Sequence, residues 1–259
     1  MTQPGARPLR ALLLPAGPDF HVPDRLAAAL AALLGVARSG TECDVQGTLD
    51  VLADEEALRG YDVIVPVWTE GHLTPAQEAG LEAAVRSGTG LGCIHGAAAA
   101  FRESFAYQGM VGGQFVAHPG GELPYRVTVD RTHPVTEPVA DFEVTTEQYY
   151  LHVDPTNRVL ARTRFDGDFG PLSSNGPVTM PVAWVRSYGA GRVFCSTLGH
   201  PSGGPRRTLS RDAHHPRAPV GGPGTVNPER WPAPAPRSPR GSAGLEPTST
   251  TARRAWWAA

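Results

Sequence analysis

Apolar positions in the first hundred residues follow two spacings. "LRALLLPAG" (9–17), "YDVIVPVW" (61–68) and "TGLGCI" (89–94) carry short continuous apolar runs, the pattern of strands covered on both faces. "TECDVQGTLD" (41–50) reads as a further, shorter strand. In "HVPDRLAAALAALLGVARSG" (21–40), Leu26, Leu30, Leu33 and Leu34 recur at helical spacing, with Pro23 in the first turn and Gly40 as the stop. "TPAQEAGLEAAVRSG" (74–88) predicts a second helix, with Thr74 as N-cap, Pro75 at the first position, Gln77 completing a capping box and Gly88 at the end. Strand and helix therefore alternate with short connections, which implies a parallel sheet with helices on both faces and ligands at the carboxyl ends of its strands.

Beyond residue 105 the period shortens. "LPYRVTVD" (123–130), "DFEVTTEQYYLH" (141–152), "NRVLARTRF" (157–165), "PVAWVRSY" (181–188) and "GRVFCSTLGH" (191–200) are strand-like runs separated by Gly, Pro and Asn turns. They predict a mostly antiparallel extension of the same sheet, with the last run returning to its core. From Pro201 all periodicity stops. Residues 201–259 hold 11 of the 26 prolines, and such a segment is expected to be a disordered tail on a domain spanning 1–200.

Composition sharpens this division. The total net charge of −2 hides a body of net −8 over residues 1–200 and a tail of net +6, and every basic residue is arginine. We read the missing lysine as compositional bias of the source genome. A basic tail suggests nucleic acid, but the acidic body opposes it, so no nucleic-acid partner is expected. Cys43, Cys93 and Cys195 are odd in number and widely spaced, which argues against a disulfide framework or thiolate zinc site and fits a reducing compartment. The N-terminal apolar run is four residues, Ala11 to Leu14. That is too short for a signal-peptide core, and no stretch approaches the ~20 apolar residues of a membrane span. The expectation is a cytoplasmic protein with no membrane partner; whether it is a homo-oligomer is left open.

The chemistry centres on "GTGLGCIHGAAAAF" (88–101), where an apolar strand stops at His95-Gly96. A nucleophile elbow needs small residues two positions either side of the exposed side chain. Centring on His95 places Cys93 and Ala97 there, whereas centring on Cys93 places Leu91 and His95. His95 therefore takes the elbow and Cys93 faces the interior as a small hydrophobe. Other imidazoles and a carboxylate follow in His118, His133, Glu147, His152 and His200, with Tyr149 and Tyr150 between them. Histidines with a carboxylate suit acid–base work or a divalent metal such as zinc, although no diagnostic ligand spacing occurs. His133 reads as a turn cap, and His72 and His21 as loop residues whose partners the sequence does not show.

The ordered set "GLGCIHGA", "MVGGQFVAHP", "HPVTEPV", "FEVTTEQYYLHVDP" and "MPVAWVRSYGAGRVFCSTLGH" resembles the ThuA-like (trehalose utilisation) family over residues 8–200. The resemblance implies a flavodoxin-like three-layer α/β fold, similar to class I glutamine amidotransferases. His95 then stands where an amidotransferase carries its cysteine, and His200-Pro201 matches its late His-Pro, so glutaminase chemistry is not expected. One departure is Cys93, where the family usually has glycine. The implied function is sugar (trehalose or disaccharide) catabolism, acting on a small-molecule keto-sugar by isomerisation, lysis or hydrolysis. In that picture His95, Glu147 and His200 are catalytic; His118, Tyr149 and Trp68 line the sugar; and His95, His118, Glu147 and His200 are the candidate metal ligands. The alternative is a non-catalytic carbohydrate- or partner-binding module on the same scaffold. After "TLGH" the family continues into a covering helix, whereas this chain turns Pro/Arg-rich. The switch reads as a reading-frame change in a high-GC gene that replaces the final helix; resequencing that locus and finding an unbroken frame would overturn it.

Overall fold

The computed structural model describes residues 8–166 and 176–200. The Pro/Arg-rich stretch 201–259, with the disorder and the frame change expected of it, lies outside the described residues. In chain order the elements are β1 (Arg10–Ala16), α1 (Pro23–Ala37), β2 (Glu42–Val45), α2 (Glu55–Arg59), β3 (Val63–Trp68), α3 (Pro75–Ser87), β4 (Gly90–Ile94), α4 (Phe105–Val111), β5 (Gly113–Ala117), β6 (Glu122–Val129), β7 (Phe142–Glu147), β8 (Tyr150–Val153), β9 (Arg158–Phe165), β10 (Val178–Tyr188) and β11 (Gly191–Ser196). Nine strands form one mixed sheet in the order β2-β1-β3-β4-β11-β10-β9-β6-β7, and β5 pairs with β8 in a separate two-stranded sheet.

The first five strands of that order are parallel to their neighbours. From β11 outward the pairing is antiparallel. This is the α/β architecture with a parallel core and an antiparallel extension that the periodicity predicts. The core follows from alternation along β1. Leu13 joins Val63, Val65 and Ala27 on the α1 face, while Leu12 and Leu14 join Leu52, Leu81 and Leu91 under α2 and α3. Two such faces need helices on both sides. The capping box of α3 is formed as read: Gln77 N–H donates to Thr74 Oγ1, and Thr74 N–H donates to Gln77 Oε1.

Two expected strands come out differently. The expected strand 141–152 is two strands, because Gln148 and Tyr149 are drawn inward. Gln148 Nε2 donates to Thr163 Oγ1 and to the Arg164 carbonyl, and the chain then leaves the main sheet to pair with β5. The strand expected over 41–50 ends at Val45, and Asp50–Ala53 is a 3-10 turn instead. The alanine run after His95 forms a 3-10 turn over His95–Ala99, and the next helix is α4. No helix among the described residues is long and apolar enough to cross a membrane.

Candidate functional site

Side chains from five separate segments meet at the carboxyl ends of the parallel strands. His21 comes from the loop after β1, His95 directly follows β4, Glu147 ends β7, and His200 follows β11. One ligand atom from each of these four lies within 4.8 Å of the others. Strands β1 and β4 flank β3 in a sheet whose order reverses at β1, the crevice where open α/β sheets place their ligands. His118, after β5, completes the ring: its Nε2 is 3.6 Å from Glu147 Oε1.

The backbone holds this arrangement under strain. His95 has φ 47°, the left-handed region that side chains other than glycine, Asn and Asp seldom occupy. Such outliers persist where surrounding packing over-determines them. Next to it, a Cβ on Gly96 would stand 1.9 Å from Thr69 Oγ1, so only glycine lets the elbow and the end of β3 approach this closely. That closeness matters because Thr69 Oγ1 is itself 2.9 Å from His21 Nδ1.

Orientation decides what the imidazoles can do. His95 Nδ1 donates to the Thr197 carbonyl at 3.1 Å, which leaves the lone pair on Nε2, 3.5 Å from Glu147 Oε2. His21 turns its Nδ1 to Thr69. His200 turns Nδ1 toward Glu122 and Nε2 toward Glu147, 3.7 Å from Oε1. A histidine that presents one nitrogen inward while the other is held by a carbonyl, hydroxyl or carboxylate is the arrangement of metal-binding imidazoles. Burial drives His95 down to about 3, helped by His21, His200 and His118 and opposed by its bond to Thr197. Burial likewise lowers His21 to about 4, with His200 and His118 adding to it. Both rings are therefore neutral near pH 7, the state that coordinates a cation. The Tyr149 hydroxyl lies 3.1 and 3.3 Å from the two His95 nitrogens. Burial first, then Glu147 and Tyr125, pushes its phenol well up, so it stays protonated and can accept from an imidazole N–H or donate to a lone pair there.

The residues anticipated from sequence divide clearly. His95, Glu147, His200, His118 and Tyr149 come together. Trp68 ends β3 at the same edge, but its ring packs against Phe101, 6.0 Å between centroids. The aromatic faces beside the cluster are Tyr149 and Phe115, 4.6 Å apart. His133 caps its turn, accepting from Val135 N–H at 3.2 Å, and exposed His72 pairs with Glu103. Cys93 is buried with Tyr107 over it, as the elbow argument requires. The residue missed is His21. It replaces His118 in the tightest four-group set, and the available signal was its place in the first strand–helix loop of a parallel sheet.

The ThuA family profile, described as trehalose utilisation, matches residues 12–203. No curated protein matches the chain. Among solved structures it is similar to a protein described as thua-like from Bacteroides uniformis, with 20% identity, 77% of this chain and 85% of that one covered, and TM-score 0.59. Another described as thua-like, from Parabacteroides merdae, shares 15% identity over 76% and 82% of the two chains, with TM-score 0.58. A cold-adapted β-galactosidase from Rahnella sp. R3 shares 13% identity over 74% of this chain but only 28% of its own, with TM-score 0.51. At these identities the structural likeness is one of fold.

Proposed function

The chain belongs to the ThuA, trehalose utilisation, family, and from that premise we propose that it acts in sugar catabolism on a keto-sugar derivative, with the cluster holding a divalent cation such as zinc. The observation that carries this reading is the convergence of His21, His95, Glu147 and His200 within 4.8 Å. The donor set fits a cation on chemical grounds. It offers three imidazoles and one carboxylate, the nitrogen and oxygen ligands zinc accepts in four-coordinate sites. His21 and His95, held neutral by burial, offer lone pairs that a divalent ion can take.

A cation bound there would polarise a carbonyl or hydroxyl oxygen of the sugar as a Lewis acid. The protein's own groups supply positioning and proton handling. His95 keeps its proton on Nδ1 through Thr197 and presents the Nε2 lone pair. Glu147 lies between His95, His118 and His200, within 3.5–3.7 Å of a nitrogen of each. His118 turns Nε2 toward Glu147, while its Nδ1 is buried without a hydrogen-bond partner among the described residues. Tyr149 and Phe115 give a sugar ring apolar faces to stack on.

The test is thermal unfolding with EDTA and then with zinc, manganese or magnesium, followed by turnover of a 3-keto disaccharide. A cation that binds only the folded state stabilises it by about 2.7 kcal/mol at a hundredfold excess over Kd. We expect one ion to raise the midpoint and turnover to vanish in His95→Ala. Indifference to every ion would remove the cation from this reading, and tight sugar binding without turnover would replace catalysis by recognition.

A further inference from the structure

We propose that Glu122 is a positioning residue of this site: it holds the His200 proton on Nδ1 and so aims the Nε2 lone pair at the cation. The inference rests on the cation-binding reading above. Glu122 opens β6 and Glu147 closes β7, and the two are direct register partners across that antiparallel pair. Their side chains therefore leave the sheet on one face, at one end. His200 sits between them, with Nδ1 3.0 Å from Glu122 Oε1 and Nε2 3.7 Å from Glu147 Oε1.

His200 Nδ1 is buried, and in this arrangement no hydrogen bond to it is in line. A buried imidazole N–H without a partner is costly, and the Glu122 carboxylate lies 3.0 Å away as an acceptor for it. His95 already has the equivalent restraint in the Thr197 carbonyl, and His21 Nδ1 is anchored on the Thr69 hydroxyl. Glu122 supplies the third. An ionised carboxylate can only accept, so it selects the tautomer with the proton on Nδ1. Glu122 does not belong to the four-group set itself. Its side chain is 36% exposed, so removing it takes little from the core.

Two readouts on the full-length protein test this. Long-range ¹H–¹⁵N NMR of metal-free protein reads which His200 nitrogen carries the proton, with the signal assigned from His200→Asn. Competition with a chromophoric chelator reads zinc affinity. Glu122→Ala is expected to lose the Nδ1–H preference and to weaken zinc binding about ten- to hundredfold, while its thermal midpoint in EDTA stays at the wild-type value. Glu122→Gln keeps an acceptor oxygen without the charge and should recover most of both. Glu122→Ala binding zinc within about twofold of wild type would overturn the proposal alone. So would equal losses in Ala and Gln, which would mark a bulk charge effect. Failure of the wild type to bind zinc would overturn both this inference and the reading beneath it.

Discussion

Acidification should destabilise this protein through His95, by an amount that the structure sets. The ring is 2% exposed, and its ordinary value of 6.5 is lowered to about 3 in the native state. Below pH 6.5 the unfolded chain takes up a proton that the folded chain refuses. Stability is therefore complete above 6.5 and is lost as the pH falls toward the folded value. The slope inside that window is about 1.4 kcal/mol per pH unit. Between about pH 7 and pH 5 the loss from His95 alone is about 2 kcal/mol. His21 acts in the same direction, but its half-buried ring contributes less because solvent screens it. The comparison to make is urea unfolding, followed by circular dichroism in EDTA at both pH values, for wild type and His95→Asn. Asparagine suits this position because it tolerates the left-handed backbone and its amide can still donate to Thr197 O. The wild type should lose about 2 kcal/mol more than the variant on acidification. Equal losses in the two proteins would refute the assignment of a neutral, desolvated His95.

Three further outcomes follow from the same geometry. Gly96→Ala should cost about 1–3 kcal/mol as an overpacked contact and should weaken zinc binding, because the Thr69 it displaces anchors His21; chemical denaturation with and without zinc checks both. Trp184→Ala, which empties a fully buried indole site and removes the donor to Val111 O, should cost about 3–5 kcal/mol and lower the urea midpoint at unchanged slope. Glu147→Gln should abolish the zinc-dependent rise in thermal midpoint while leaving the EDTA midpoint near the wild-type value.

Much of the scaffold was legible because local chemistry and tertiary demand agree there. Thr74, Pro75, Gln77 and Gly88 mark α3 by capping alone, and the unbroken apolar runs of β1, β3 and β4 admit only a strand covered on both sides. The elbow could be read because crowding at His95 restricts its neighbours to Cys93 and Ala97. Other features depend on contacts distant in sequence. The run 142–153 shows no break at Gln148, since what turns it inward is Thr163, fifteen residues away. Helix α4 has seven residues, too few for periodicity to declare itself. His21 looks like any loop histidine until the fold brings the loop after β1 to the same sheet end as the residues that follow β4 and β11. Glu122 gains its meaning only from register with Glu147.

The position of β11 also constrains the order in which the molecule can be made. This strand is the last described element, yet it lies between β4 and β10 and joins the parallel half of the sheet to the antiparallel half. A ribosome delivers β1 to β4 first and β6 to β10 later, and neither half can be sealed to the other until residues 191–196 emerge. The nascent chain therefore carries the open edge of β4 from residue 94 until residues 191–196 emerge, an aggregation hazard that ends only when β11 pairs with it. The segment that carries Thr197 and His200 into the site is the same one that closes the sheet, so a chain cut short of it has neither a finished sheet nor a complete cluster.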